Sequence, residues 1–596
     1  MSFKKYPLLY LIFLTCLPLL LFAQNLPPDK ITDWSKAGLP NSVLPIFDTI
    51  NVLSHGLTPD GVTSNNAALD NLMSANMGSP TVFYFPPGHY FFDKSITLNS
   101  QHVLKGESSD ETVFTFNLNG QNHLIVAKGE LSTVKKNITA KINRNQNTCS
   151  VENTTGLQVG DFIRFQFDDA QLVTSPWAEK STGQLLEIIN IQGNILTTAE
   201  SFRIDVPLSK NPYIEKINPV ELAGVECLHI ERQDATTSQT SNIFFQFAAK
   251  CWVKGVSSHL TNFAHVDIEN GSHNHITGCH FKDAFAYGNG GQGYGVVLEF
   301  NTSDCLVDNN VFDHLRHSML LQAGANGNVL SYNYSINPFW DEVGLPEDAA
   351  GDLVLHGNYP YFNLLEGNIV QNIVIDDSHG TNGPGNVFLR NRAEYYGIFM
   401  NDDIPTDDQA FIGNEVTSSN FLLGYYDLAG IGHFEYGNNI KGTVTPAGTT
   451  EPFYNSLYLG NDLPEYFDKY ELDIAAIGLP NNINNGVNPA KKRYGNGELT
   501  LCNVGEDYVI INSIDNNVTQ LKLNTFPNPV RDILHIENDF LFNDYSVKIL
   551  DINGKVIFNK NNAPFKIDIS DLNSGLYILV LENEQEHFFQ KINVVK

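Results

Sequence analysis

At 596 residues, 42% of them apolar, the chain is too long for one ordinary compact core, and 11% aromatic content argues against disorder. The formal net charge of −30 excludes nucleic acid and anionic lipid surfaces as partners, because such a body repels them. A polyanionic substrate would need a local basic patch or a bridging cation.

Residues 1–24 read as a signal peptide: Lys4 and Lys5, an apolar run from Pro7 to Phe22, then Ala23 and Gln24. No later stretch reaches the roughly 20 apolar residues needed to span a bilayer, so no membrane span is expected. Beyond Cys16 there remain Cys149, Cys227, Cys251, Cys279, Cys305 and Cys502. None forms a CxxC pair or a zinc-like spacing, and they read as buried thiols in a stacked core.

Residues 25–129 read as an N-terminal cap and first coils. The run Thr58-Pro-Asp-Gly-Val-Thr63 opens a short helix ending in Ala68-Leu69, Val82-Phe-Tyr-Phe85 is a buried strand stopped by Pro86, Pro87 and Gly88, and Val103-Leu-Lys-Gly106 is another strand. In this order the motifs resemble the cap of the pectate-lyase-like superfamily. That resemblance implies a right-handed parallel β-helix but no single activity, since the superfamily holds lyases, hydrolases, epimerases and phage tailspikes. Residues 130–216 differ: alternating strands such as Phe162-Ile-Arg-Phe165, and the hairpin dipeptide Gly193-Asn194, predict a compact β-rich insertion.

From 217 to 500 the chain reads as the β-helix body. Five segments align: Cys305–Asn310, Asn328–Asn333, Asn363–Asn368, Asn386–Asn391 and Gln409–Asn414, whose terminal asparagines are 23, 35, 23 and 23 residues apart. Gly255 and Cys279 hold the equivalent place earlier. A period of 23 with insertions suits one coil of three short strands, with the extra residues bulging as loops. Asparagine at each turn can bond to its neighbours above and below, forming a ladder at about 4.8 Å per coil. Such coils need a cap at each end, and the stretch 454–496 is the candidate for the far one.

A linker over 501–520 leads to residues 521–596. There Phe526-Pro-Asn-Pro529, Val547-Lys-Ile-Leu550, Asn553-Gly554 and Ser574-Gly-Leu-Tyr577 predict short strands and tight turns in a small β-sandwich. In order and wording they resemble the type A sorting tail of the Bacteroidetes type IX secretion system. The resemblance implies export through the periplasm and across the outer membrane, to the medium or the cell surface, with the secretion machinery as a partner.

Stacking turns sequence offsets into a site map. Twelve residues before successive ladder asparagines stand Leu321, His356, His379 and Asp402, which predicts a polar column. Asp376 and Asp377 precede His379, and Arg316 and His317 lie one coil earlier. Clustered imidazoles and carboxylates perturb one another's pKa values, which prepares one group to donate a proton and another to accept it. We therefore take His379, Asp376, Asp377, His356, Asp402, Arg316 and His317 as candidate catalytic residues. Glu366, Arg390, Trp340, Tyr359 and Tyr395 are the candidate substrate contacts. Taken singly, His356 or His379 could equally be structural.

Two chemistries fit a polysaccharide lying along the helix. Hydrolysis needs two carboxyl groups flanking the linkage. Elimination from a uronic acid needs a base and a cation or arginine to neutralise developing charge. Calcium is the cofactor to test, and a monomer is expected. A non-catalytic adhesin or glycan-binding protein on the same scaffold is the alternative.

Overall fold

The computed structural model describes residues 26–39, 47–288, 290–341, 346–401, 404–449, 456–459, 463–472, 486–502 and 510–512, and seven stretches between 524 and 596. The signal segment 1–24, Asp402 and most of the linker lie outside the described residues.

The body is a parallel β-helix with three strands per coil. One coil comprises Leu306–Asp308, Val311–Asp313 and His317–Leu321, and the next comprises Val329–Ser331, Tyr334–Ile336 and Leu353–Leu355, each strand pairing in parallel with its equivalent. The equivalents stack into three faces, here called sheets one, two and three in that order. Sheet one runs from Ile510–Asn512, paired on Phe47–Asn51, to Phe434–Tyr436. Apolar side chains, among them Phe114, Val266, Leu298, Met319, Leu321 and Phe388, fill the interior as one continuous core.

The asparagine ladder stands as the spacing predicts. Each Asn Oδ1 accepts both the backbone N–H and the side-chain Nδ2–H of the asparagine one coil earlier, linking Asn310, Asn333, Asn368, Asn391, Asn414 and Asn438. A second ladder, through Asn328, Asn363, Asn386 and Gln409, flanks the other end of the same strands. Both sit directly after a left-handed residue, such as Tyr332 and Arg390 for the first and Phe362 and Asp408 for the second. A left-handed residue turns the chain through a corner, and the asparagine behind it ties that corner to the next coil.

Residues 130–218 form a six-stranded antiparallel sheet with its own core around Ile163, Phe165, Leu186 and Phe202. It is fastened to the helix: buried Arg203 pairs with Asp304 and bonds Asn326 at 3.0 Å, and Tyr361 Oη donates to the Gly183 carbonyl at 2.6 Å.

The stretch expected as the far cap lies elsewhere. Leu457 N–H donates to Glu366 at 3.1 Å, Tyr466 Oη donates to Asp308 at 2.7 Å, Arg493 donates to the Asn309 carbonyl at 2.6 Å and Leu501 N–H to Gly278 at 2.8 Å. The segment thus straps the outside of sheet one, burying Tyr458, Phe467 and Leu501 with Trp34 of the N-terminal segment in a second apolar layer. Its aromatic residues pack on the apolar side chains Leu306, Val329, Leu364 and Val387 of that face. In the C-terminal region, antiparallel sheets of three and four strands share a core of Leu534, Val547, Ile567, Leu579 and Ile592.

Candidate active site

With sheet one sealed by the strap, sheet three carries the open cleft. Its strands bring one outward position of each coil into a single row, through the pairings Gln246 with Glu269 and Glu269 with Glu299. Backbone bonds from Gln322 to Leu298, His356 to Leu321, Asp376 to Leu355 and Asn401 to Ile375 carry the row onward. The side chains bond along it. Gln246 donates to Glu269, Gln322 donates to Glu299, His356 Nδ1 faces an Asp376 oxygen, and Asn401 Nδ2 donates to Asp376 at 2.9 Å. Asp267, two residues before Glu269, adds a third carboxyl beside the pair.

This row corrects the expected column. Leu321 pairs with Leu355, so His356 stands above Gln322, and its next neighbour is Asp376 rather than His379. The cause is loop length: Asp376 to its ladder asparagine is three residues longer than His356 to its own, and the excess is a turn closed by the Gly380 N–H to Asp377 carbonyl bond. His379 rides on that turn, yet its ring still meets His356 edge-on at 5.0 Å.

The cleft holds about 660 Å³, lined among others by Trp177, Asp267, Glu299, Arg316, His356 and His379. Trp177 comes from the insertion and packs edge-on against Phe300 and His379, so the insertion supplies a wall. Ser175 bonds His379 Nδ1 at 3.3 Å from the same side. On the opposite side Arg316 spans the rings of Tyr294 and Trp340 at 5.8 and 5.4 Å.

Electrostatically the cleft has two halves. Asp267, Glu269 and Glu299 offer oxygens within 4.8 Å of one another. Burial, then the neighbouring Glu269, pushes the Glu299 carboxyl up to about 8 against the bond from Gln322. Burial, then Glu299 and Glu269, raises Asp267 far above the carboxylate range, and burial raises Glu269. Among the described residues Asp267 Oδ1 has no hydrogen-bond partner. Two lone pairs that close cannot both face bare negative charge, so the cluster must hold protons or a cation. The donor set is all hard oxygen, of the kind calcium takes. In the other half, burial works against ionisation of Asp376, but His356 and the hydroxyl and N–H of Ser378 overcome it and hold Asp376 well below the usual range. Burial, then Arg316 and His356, lowers His317 to about 3, and burial, then His356, lowers His379.

Not every candidate reaches the cleft. Asp377 lies beside it, accepting from the Ile404 N–H at 2.9 Å and from Asn401. His317 is buried behind the wall, with Nδ1 on the Gly351 carbonyl at 2.8 Å. Glu366 and Arg390 are corrected outright as substrate contacts. Both are buried on sheet one, where Tyr332 donates to Glu366 at 2.7 Å beneath the strap. Tyr359 lines a separate cavity of about 440 Å³ between the insertion and the helix. Tyr395 packs edge-on against Tyr396 on a bulge of sheet two's strand, beside Asp348. Asp267, Glu269, Glu299 and Trp177 were missed. The signal available was the twin strands Ala264–Glu269 and Tyr294–Glu299, the first alternating, the second apolar, and each ending on glutamate.

The fold and cleft define a parallel β-helix protein with a C-terminal sorting module. Residues 49–160 match the family described as rhamnogalacturonase A/epimerase, pectate lyase-like, and residues 524–595 match the secretion system C-terminal sorting domain. That module marks the chain for type IX export, to the cell surface or into the medium. Among the described residues no helix is long and apolar enough to cross a membrane.

No curated protein matches the chain. Among solved structures, the tailspike gp49 of Pseudomonas phage LKA1 is 15% identical, with a TM-score of 0.45, over 62% of this chain and 64% of that one. The chain therefore spans just under two thirds of that tailspike's length. The A-module of an Azotobacter vinelandii mannuronan C-5 epimerase is 12% identical over 65% of this chain and 99% of its own, with a TM-score of 0.30. The Streptococcus pneumoniae surface protein and adhesin PfbA is 10% identical over 66% and 98%, with a TM-score of 0.28. Likenesses at this level extend to the fold and no further.

Proposed function

We propose that this protein is an exported polysaccharide-cleaving enzyme, a glycoside hydrolase whose substrate lies along sheet three. The observation that carries the reading is a cluster of buried carboxyl groups, each raised by burial, Glu299 to about 8, sharing one open cleft with a histidine paired to an ionised aspartate. Glu299, supported by Asp267, gives its proton to the glycosidic oxygen as the linkage breaks. His356, whose Nδ1 is engaged by Asp376, takes a proton from water at Nε2, and Asp376 stabilises the imidazolium that forms. Glu299 and His356 stand two coils apart, on the order of 10 Å at one strand spacing per coil. That is near the separation that leaves room for a water, and it points to inversion at the anomeric carbon. Trp177, exposed at the rim, offers a face for sugar stacking.

A second reading, elimination from a uronic acid, is favoured by one feature: Arg316 at the rim, positioned to neutralise a carboxylate beside His379. The test is to incubate the purified protein with neutral, uronic and sulfated polysaccharides and follow reducing ends and unsaturated products together. Reducing ends without unsaturation are expected. Both signals together mean a lyase, and neither across the panel leaves a glycan-binding adhesin.

A further inference from the structure

We propose that Cys227 and Cys502 are oxidised to a disulfide in the exported protein, locking the end of the strap onto the β-helix. Cys227 occupies the corner after Gly224–Glu226, with left-handed φ +50, and its N–H donates to the Lys254 carbonyl at 3.0 Å. Its corner therefore lies directly beneath Gly255, the left-handed residue of the next coil. The strap arrives at this row: Leu501 bonds Gly278, and Cys502 Sγ sits 3.5 Å from the Gly255 carbonyl. A Cβ on Gly255 would stand 3.0 Å from that sulfur, so glycine at this corner clears the path along which Cys502 reaches Cys227. Each thiol shifts the other's titration, Cys227 upward and Cys502 downward.

The remaining cysteines are built differently. Cys251, Cys279 and Cys305 point into the solenoid core with their sulfurs on backbone carbonyls of their own corners, and Cys149 is buried in the insertion. Cys502 alone among the six is partly exposed, as an attacking thiol must be. Its partner Cys227 lowers its pKa, favouring the thiolate.

The route to the medium crosses the periplasm, an oxidising compartment. There the Cys502 thiolate attacks the disulfide of a thiol–disulfide oxidoreductase, forming a mixed disulfide and expelling one of that enzyme's thiolates. Cys227, giving up its proton, attacks the Cys502 sulfur and expels the second thiolate. The protein loses two protons and two electrons, and the oxidoreductase gains a dithiol. Beyond Cys502 the described chain continues to Ile510–Asn512, which pairs with Phe47, Asp48 and Thr49 at the edge of sheet one. The bond would therefore stop any peeling that starts from the tail before it reaches the strap.

The exported full chain is denatured without reductant, alkylated and analysed by mass. Of the six cysteines beyond Cys16, four are expected to take the label, with one peptide pair joined through residues 227 and 502 and released by reductant. Reductant is expected to lower the wild-type melting temperature by several degrees and to leave the C227S/C502S double variant unmoved. Six labelled cysteines, or a link through another pair, would overturn the proposal. A double variant that still responds to reductant would do so as well.

Discussion

Replacing Glu299 with glutamine separates the cost of the acidic cluster from its use. Burial pushes this carboxyl up to about 8 in the folded protein, against 4.5 for a free glutamate. At pH 7 the unfolded chain is ionised there and the folded chain is protonated, so folding must take up a proton. One pKa unit is worth about 1.36 kcal/mol, so that uptake costs on the order of 3 kcal/mol at pH 7. The sign follows from the raised folded value: the wild-type contribution is complete below about 4.5 and is lost as pH climbs through about 8. Glutamine ionises in neither state and keeps an acceptor for the Gln322 amide. Glu299→Gln is therefore expected to match wild type at pH 4 and to exceed it at pH 7 by roughly 2–3 kcal/mol in urea denaturation. Turnover should move the opposite way, falling about 10²–10⁴-fold with loss of the general acid. Reducing-end release and urea midpoints on the same preparation check both. Turnover within threefold of wild type, or a variant less stable at pH 7, would refute the assignment.

His356→Ala should lower kcat by about 10²-fold or more with little change in KM, because the base acts only as bonds rearrange; an unchanged kcat removes it from the chemistry. His379→Ala is expected to lower turnover about tenfold and leave melting nearly unmoved, since its half-buried ring packs on Trp177 and His356 at the cleft edge and positions the base; unchanged activity would make it a wall residue. Asn368→Ala deletes bonds to Leu330, Asn333 and Asn391 in a fully buried corner and should cost about 3–5 kcal/mol in unfolding experiments. Chelation by EDTA is expected to leave turnover unchanged, because Gln246 and Gln322 already direct N–H groups at the cluster; loss of activity restored by calcium would mean that a cation replaces the protons.

Much of this architecture was legible because the solenoid repeats. Asn333, Asn368 and Asn391 announce their corners by spacing alone, and the backbone bonds they make are the same in every coil. The site was legible only in part, since its rows are set by strand register and the offsets from the ladder vary with loop length. His356 fell in its row, while His379 was displaced by the turn after Asp376. Glu299 and Gln322 stand eleven residues before Asn310 and Asn333, one short of the offset of twelve that reaches His356, and Glu269 precedes Cys279, which holds the corner in place of a ladder asparagine. Glu366 and Arg390 sit at repeat positions that look as open as any other. Only the strap from a segment some hundred residues onward seals them, and nothing local in their sequence foretells it.

Cleavage of a glycan on sheet three, between Glu299 and His356, can be tested in a crystal structure of Glu299→Gln with a long oligosaccharide from a cleaved polymer. Sugar rings are expected along the cleft, with one glycosidic oxygen facing residue 299 and a water held by His356 across the same linkage. Sugar bound only in the cavity beside Tyr359, or bound in the cleft with no linkage near residue 299, would contradict it.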